Sequence, residues 1–182
     1  GFHIFMKAIP KILKENPDAS IFIVGDDKTH GYGAEPKGDR NYKEIYFSKI
    51  KDQIKGDEDR IFFFGQVQYE LFIKLMQISS VHIYLSYPFV LSWSMLEAMS
   101  CGATIIGSNT GPVTEVIDDN INGLLVDFFD HEGISDNVYK VLKNRDKYKN
   151  LSTSARQTII EKYDLKKVAL PLHLDLINRA LK

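Results

Sequence analysis

Glu97 is the residue of this 182-residue chain whose setting most plainly calls for chemistry. It is the only charge in Ser92-Trp93-Ser94-Met95-Leu96-Glu97-Ala98-Met99-Ser100-Cys101, a segment otherwise built of apolar residues and serines. A carboxylate on a helix packed against a sheet needs partners, because an unpaired buried charge is prohibitively costly. Two kinds of partner suit it. One is a polar residue of a neighbouring loop, such as Asn109 or Thr110; the other is a ligand diol, since an ionised carboxylate accepts two hydrogen bonds at once. Ser92 is a natural N-cap and Gly102 a natural stop. The helix start then offers N–H groups and a positive dipole end to a phosphate or sugar oxygen.

Five apolar runs end in small or polar residues: Gly25-Asp26, Gly65-Gln66, Ser86, Gly107-Ser108 and Asp127. Glycine at such a point lets a ligand approach the backbone, or simply makes a tight turn. Taken singly the turn is the better reading, but five along one edge predict a site there. The polar stretch Asp26–Asn41 adds a long loop after the first run, which suits a functional loop or a plain insertion. The five histidines show no metal-ligand spacing. His82 inside an apolar run reads as structural, and only His30, in the long loop, has an open setting. Cys101 reads as a buried, inert thiol.

These residues must be positioned by a regular scaffold. Strands are expected at Ser20–Val24, Arg60–Phe64, Val81–Leu85, Ala103–Gly107 and Gly123–Val126. Ile21-Phe22-Ile23-Val24, Ile61-Phe62-Phe63-Phe64 and Thr104-Ile105-Ile106 are nearly continuous apolar runs, as in parallel strands covered on both faces. Helical patterns alternate with them: a start at Phe2 ended by Asn16-Pro17-Asp18, then roughly Tyr42–Lys55, Glu70–Ser79, Ser92–Cys101 and Pro112–Ile117. Helices at about His131–Lys143, Tyr148–Tyr163 and Leu165–Leu181 follow. Alternating β and α implies right-handed crossovers and an α/β, Rossmann-like, doubly wound parallel sheet. In such a sheet all five run ends lie at the carboxyl edge, where ligands bind.

Composition narrows the function classes. With 44% hydrophobic and 26% charged residues the chain suits one domain with a real core. Lys+Arg (23) and Asp+Glu (24) balance to a net charge of −1, which lacks the basic footprint of a nucleic-acid binder. The single cysteine forms no internal disulfide. No apolar run reaches the roughly 18–20 residues of a membrane span, and nothing resembles a signal peptide. A cytoplasmic domain is expected. A chain that opens Gly1-Phe2 and enters an amphipathic helix at once reads as cut from something longer.

Leu96-Glu97-Ala98-Met99-Ser100-Cys101-Gly102-Ala103, Gly107-Ser108-Asn109-Thr110-Gly111-Pro112-Val113-Thr114-Glu115-Val116-Ile117 and Asn122-Gly123-Leu124-Leu125-Val126 together carry a resemblance. They resemble the C-terminal domain of GT-B glycosyltransferases, specifically glycosyltransferase family 4, the retaining "group 1" sugar transferases. The likeness runs from Gly1 to the tail helix after Tyr163-Asp164-Leu165. It implies that residues 1–182 form a nucleotide-sugar (donor) binding domain, with tail helices over about 148–182. It also implies a partner in an acceptor-holding N-terminal domain absent from this chain. Glu97 matches the second glutamate of the family's acidic pair, which bonds the ribose hydroxyls. The first falls at Phe89, so the contact it makes to the donor sugar is absent here or met differently, and no catalytic residue is assigned. Val90, Leu91, Ser92 and Trp93 match the loop facing sugar and diphosphate. Gln66 and Val67 match the base-binding backbone, with Tyr69 nearby, and Gly25 lines the same crevice.

The resemblance further implies hexosyl transfer from a nucleoside diphosphate to an unknown acceptor, with retention. No cofactor and no metal are expected, because basic side chains and a helix N-terminus neutralise the diphosphate. The domain alone is expected to be inactive, and any membrane association to run peripherally through the missing domain. Asp57-Glu58-Asp59 has the spacing of the metal triplet in the other glycosyltransferase fold, but it precedes a strand and reads as a solvated charge cluster. Glu115 matches a family position, and a cap serves it equally well. Two other readings stay open: a stand-alone flavodoxin-like binding or regulatory module, and a GT-B nucleotide-sugar epimerase.

Overall fold

The computed structural model describes residues 1–26, 34, 36 and 38–181. His30 therefore lies outside the described residues. Five strands, β1 (Ile21–Val24), β2 (Ile61–Gly65), β3 (Val81–Tyr84), β4 (Thr104–Ser108) and β5 (Leu124–Val126), alternate with helices. The helices are α1 (Phe2–Glu15), α2 (Tyr42–Ile50), α3 (Tyr69–Ile78), α4 (Trp93–Ser100), the single turn α5 (Gly111–Thr114), α6 (His131–Lys143), α7 (Arg145–Lys162) and α8 (Leu170–Ala180). Every expected element is present, and the fold is α/β and Rossmann-like with parallel pairing throughout.

One expectation needs correction. The strands do not form one hydrogen-bonded sheet among the described residues: β1 pairs with β2, while β3, β4 and β5 form a second ladder in that order. Apolar runs identify strands, but they do not say which edge meets which, and here β1 and β3 stand apart across a cleft lined by both.

Strand β4 is the centre of the molecule. All five of its residues are buried, and its neighbours Ile105 and Ile106 point into different cores. Ile106 joins α1, α6, β1 and β2, whereas Ile105 joins α4, α5 and Ala155 of α7. That alternation is what a strand covered on both faces requires. Helix α1 buries Ile4, Ala8, Ile9, Ile12 and Leu13 at helical spacing, and Lys11 ties it to Glu132 and Asp136 of α6 at 2.8 and 2.6 Å. Helix α2 begins with a capping box between Asn41 and Glu44.

At the amino edge, Asp57-Glu58-Asp59 serves structure. Asp57 pairs with the Arg60 guanidinium at 2.8 Å, and Arg60 also donates to the carbonyls of Leu13, Asn16 and Ala19. It closes the turn from α1 into β1. No group of three His, Cys, Asp or Glu residues among the described ones is placed to hold a metal ion. No described helix is long and apolar enough to cross a membrane.

Candidate functional site

Strands β1 and β2 end together. The Gly25 N–H donates to the Gly65 carbonyl at 2.9 Å, and the register slips so that Val24 faces Gly65 and skips Phe64. Gly65 sits at φ +63° and Gly25 at φ +146°, backbone that side chains rarely adopt. These glycines thus have a conformational reason to be where they are. Beyond Gly65 the chain exposes Gln66, half-buries Val67 and enters α3 at Tyr69.

The end of β3 is pinned by side chains. The buried Ser108 hydroxyl accepts from the Ser86 N–H and donates to the Ser86 carbonyl, both at 3.0 Å, and Thr110 donates to that same carbonyl at 3.1 Å. The following loop is held by Tyr84, whose phenol oxygen accepts from the Ser92 N–H at 2.9 Å. Ser92 caps α4 as its sequence indicates, accepting from the Ser94 N–H at 3.3 Å. Leu91 turns partly inward against the core, while Phe89, Val90 and Trp93 are exposed by 56%, 78% and 80%. The position where an acidic residue is expected is thus a surface phenylalanine.

Glu97 projects from the second turn of α4 and accepts a 2.8 Å hydrogen bond on Oε1 from the Tyr69 phenol. Its loop partners are not Asn109 or Thr110: the Asn109 N–H bonds the Val126 carbonyl, and Thr110 is engaged by Ser86. The partner is instead the first residue of α3, which places Glu97 at the carboxyl edge, beside the end of β2. The carboxylate raises the Tyr69 pKa above its ordinary value, chiefly because it accepts the phenol's hydrogen bond. A small pocket of about 390 Å³ opens between α3, α4 and α7, walled by Tyr69, Ile73, Gln77, Glu97, Cys101 and Arg156.

Of the expected site residues, this pocket gathers Tyr69 and Glu97. Gln66, Val67 and Gly25 stand at the neighbouring strand ends, and Val90–Trp93 form the loop leading into α4. Arg156, which donates to the Ser100 carbonyl, is a wall residue that sequence alone does not indicate, because nothing local links α7 to α4. Cys101 is not the buried thiol its setting suggests: it is half-buried and borders this pocket, and its partial burial raises the thiol pKa. Glu115 lies exposed at the end of α5.

The sequence profile described as "Glycosyl transferases group 1" matches residues 1–158. The N-acetyl-alpha-D-glucosaminyl L-malate synthase of Bacillus anthracis is 28% identical over 165 residues, covering 90% of this chain and 38% of that protein. Among solved structures, Anabaena HepE in complex with UDP and glucose superposes with a TM-score of 0.76 at 19% identity, over 98% of this chain and 45% of that one. The C-terminal domain of a group 1 family glycosyl transferase, LpcC from Francisella tularensis, gives 0.77 at 20% identity, over 91% and 80%. The structural likeness is one of fold, that of GT-B enzymes. This chain spans well under half the length of the curated relatives it matches. With the profile covering most of its residues, the chain belongs to the group 1 glycosyl transferases.

Proposed function

We propose that this chain is the donor-binding half of a retaining hexosyltransferase, and that Glu97 holds the ribose of a nucleoside-diphosphate sugar. The observation that carries this reading is the placement of Glu97: one oxygen engaged by Tyr69, the other directed to no protein donor among the described residues, at the carboxyl edge beside the strand ends. A carboxylate so held is pre-oriented to accept from ribose hydroxyls. Gln66 and Val67 then meet the base, and the loop Val90–Trp93 with the start of α4 meets the diphosphate. HepE, solved with UDP and glucose, makes uridine the first base to try.

In the reaction the anomeric C–O bond to the diphosphate breaks. A glycosidic bond to an acceptor oxygen forms on the same face, and the acceptor proton is released. Basic side chains and a helix N-terminus balance the leaving diphosphate without a metal or cofactor, which the family resemblance supports. Phe89 offers no carboxylate to the sugar, so sugar contacts come from elsewhere. The acceptor sits on another domain, and the 182-residue chain alone binds nucleotide without transferring sugar.

Calorimetric titration of UDP, ADP and GDP into wild type and Glu97→Ala tests the assignment. A hydrogen bond to a charged group contributes about 1.5–3 kcal/mol, so losing one or two of them lowers affinity roughly ten-fold to several hundred-fold in the variant, with the ligand-free melt little changed. Unchanged affinity with a large drop in ligand-free melting temperature makes Glu97 a scaffold residue and overturns the reading.

A further inference from the structure

The turn from β5 into α6, Asp127-Phe128-Phe129-Asp130, carries two phenylalanines where turn chemistry favours small or polar residues. Phe128 is buried in the core shared by α1 and α6, whereas Phe129 is 59% exposed. The Asp127 carboxylate accepts the Phe129 N–H at 2.8 Å, and Asp130 caps α6 by accepting the Gly133 N–H at 2.8 Å, so the turn is held at both ends. Tyr87 meets this turn from the end of β3. It follows the pinned Ser86, and its ring is 52% exposed. The Tyr87 ring stacks on Phe128, with centroids 4.2 Å apart and planes inclined by 29°. Phe129 stands steeply to both, at 5.0 Å and 84° to Phe128 and at 6.1 Å and 66° to Tyr87.

Phe128 covers one face of Tyr87, so the exposed area of Tyr87 lies on its other face and edge. Two exposed rings thus make a corner on a third that is anchored in the core, and His3 backs Phe128 at 6.0 Å. Single exposed apolar side chains are ordinary, but contiguous rings at the edge of a site mark a binding surface. The face of an aromatic ring is electrically negative and attracts weakly polarised C–H bonds. A pyranose ring carries such C–H bonds on its faces and hydroxyls around its rim. It can therefore lie on a ring with its apolar face covered and its hydroxyls still in water.

We propose that Tyr87 and Phe129 are the stacking surface for the sugar ring of the donor, a neutral hexose or N-acetylhexosamine. This rests on the donor-binding reading above and supplies the sugar contact that Phe89 does not. In that reading the base lies by the end of β2, the ribose at Glu97, and the diphosphate at the loop after β3. The sugar is next in covalent order, and the ends of β4 and β5 are next in the ladder. Tyr87 opens the loop that contains Val90–Trp93, and Phe129 follows β5, so the two rings flank the continuation of that line. Recognition by ring faces is tolerant of the hydroxyl pattern, in contrast to a carboxylate, which fixes particular hydroxyls by hydrogen bonds.

Calorimetric titration of UDP, UDP-glucose and UDP-N-acetylglucosamine tests it on wild type, on Tyr87→Phe and on Tyr87→Ala combined with Phe129→Ala. Covering roughly 40–60 Å² of apolar ring surface corresponds to roughly 5- to 12-fold in affinity. The double variant therefore loses about that factor toward a nucleotide sugar while binding UDP as wild type does, which also shows that it is folded. Tyr87→Phe keeps the ring and keeps the affinity. In NMR spectra the sugar C–H signals of the bound nucleotide sugar move upfield with wild type, under the ring currents, and stay in place with the double variant. Loss of UDP and nucleotide-sugar affinity by the same factor, or of neither, overturns the proposal. So does methyl α-D-glucopyranoside binding to the two rings without nucleotide as tightly as with UDP present, which makes them an acceptor subsite. A wild type that binds UDP yet leaves the sugar signals unmoved removes the stacking surface alone. A wild type that binds no nucleoside diphosphate removes the nucleotide reading and this proposal with it.

Discussion

The Tyr69 phenol at 2.8 Å from Glu97 sets how that carboxylate is presented. Tyr69→Phe keeps the ring and removes the donor. Tyr69 is 62% exposed, so the fold stays within about 0.5 kcal/mol. Nucleotide affinity, read by calorimetry, falls roughly 2- to 12-fold, less than for Glu97→Ala, because the carboxylate loses its orienting donor but keeps its charge and both oxygens. A second residue-scale outcome concerns His82 in β3, whose pKa is pushed down to about 4 by burial. The folded state therefore binds fewer protons there than the unfolded state, whose histidine titrates near 6.5. The stability contributed by the neutral ring is intact above about pH 6.5 and is lost as pH falls from there toward 4, by at most about 1.4 kcal/mol per pH unit. Thermal melts of wild type and His82→Phe across pH 7.5 to 4.5 check this: the wild type loses more stability on acidification than the variant.

At the scale of elements, β4 and α5 approach through a glycine. A Cβ at Gly107 would meet Val113 Cγ1 at 2.9 Å, and Val113 is fully buried. Gly107→Ala therefore overpacks the second core and costs about 1–3 kcal/mol, read as a lower denaturation midpoint with unchanged slope. Gly107 is thus a packing residue. Gly25 and Gly65, by contrast, are required by backbone conformation where β1 and β2 end. The same scale explains why Asp57 and Arg60 belong together: the guanidinium gathers three carbonyls where α1 hands over to β1.

Across the whole molecule, apolar surface is unevenly distributed. Helix α8 leaves Leu170, Leu174 and Ile177 on one stripe and Leu172 and Leu176 on another, all exposed, with none of its residues buried. Replacing Leu170, Leu174 and Ile177 together by lysine should leave the melting temperature of the remainder nearly unchanged, because these side chains add nothing to either core. Light scattering of the same variant should show less self-association than wild type, as an apolar patch is removed. A large drop in melting temperature would show that α8 packs on the body. The exposed ring group Phe22, Phe62 and Phe64, in mutual contact at 5.5 to 6.3 Å, marks a second apolar face on the β1–β2 ladder.

Local pattern in the sequence determined the elements. Continuous apolar runs such as Ile61–Phe64, bounded by charged or glycine residues and rich in aromatic and β-branched side chains, read as buried strands. Ser92, Gly102 and Asn16-Pro17-Asp18 mark helix ends by chemistry that acts within a few residues. The family was legible too, because an ordered set from Leu96 to Val126 is specific where each piece alone is weak, and Glu97 stood out as a lone charge on an apolar helix. Partners separated by tens of residues were decided only in three dimensions. Glu97 takes Tyr69, 28 residues away, in place of a residue from the nearby loop. Arg156 reaches Ser100 across 56 residues, and the strands divide into two ladders. Propensity and capping are encoded within a few residues of each position, whereas side-chain partners and strand edges depend on how whole elements dock, which no local spacing specifies.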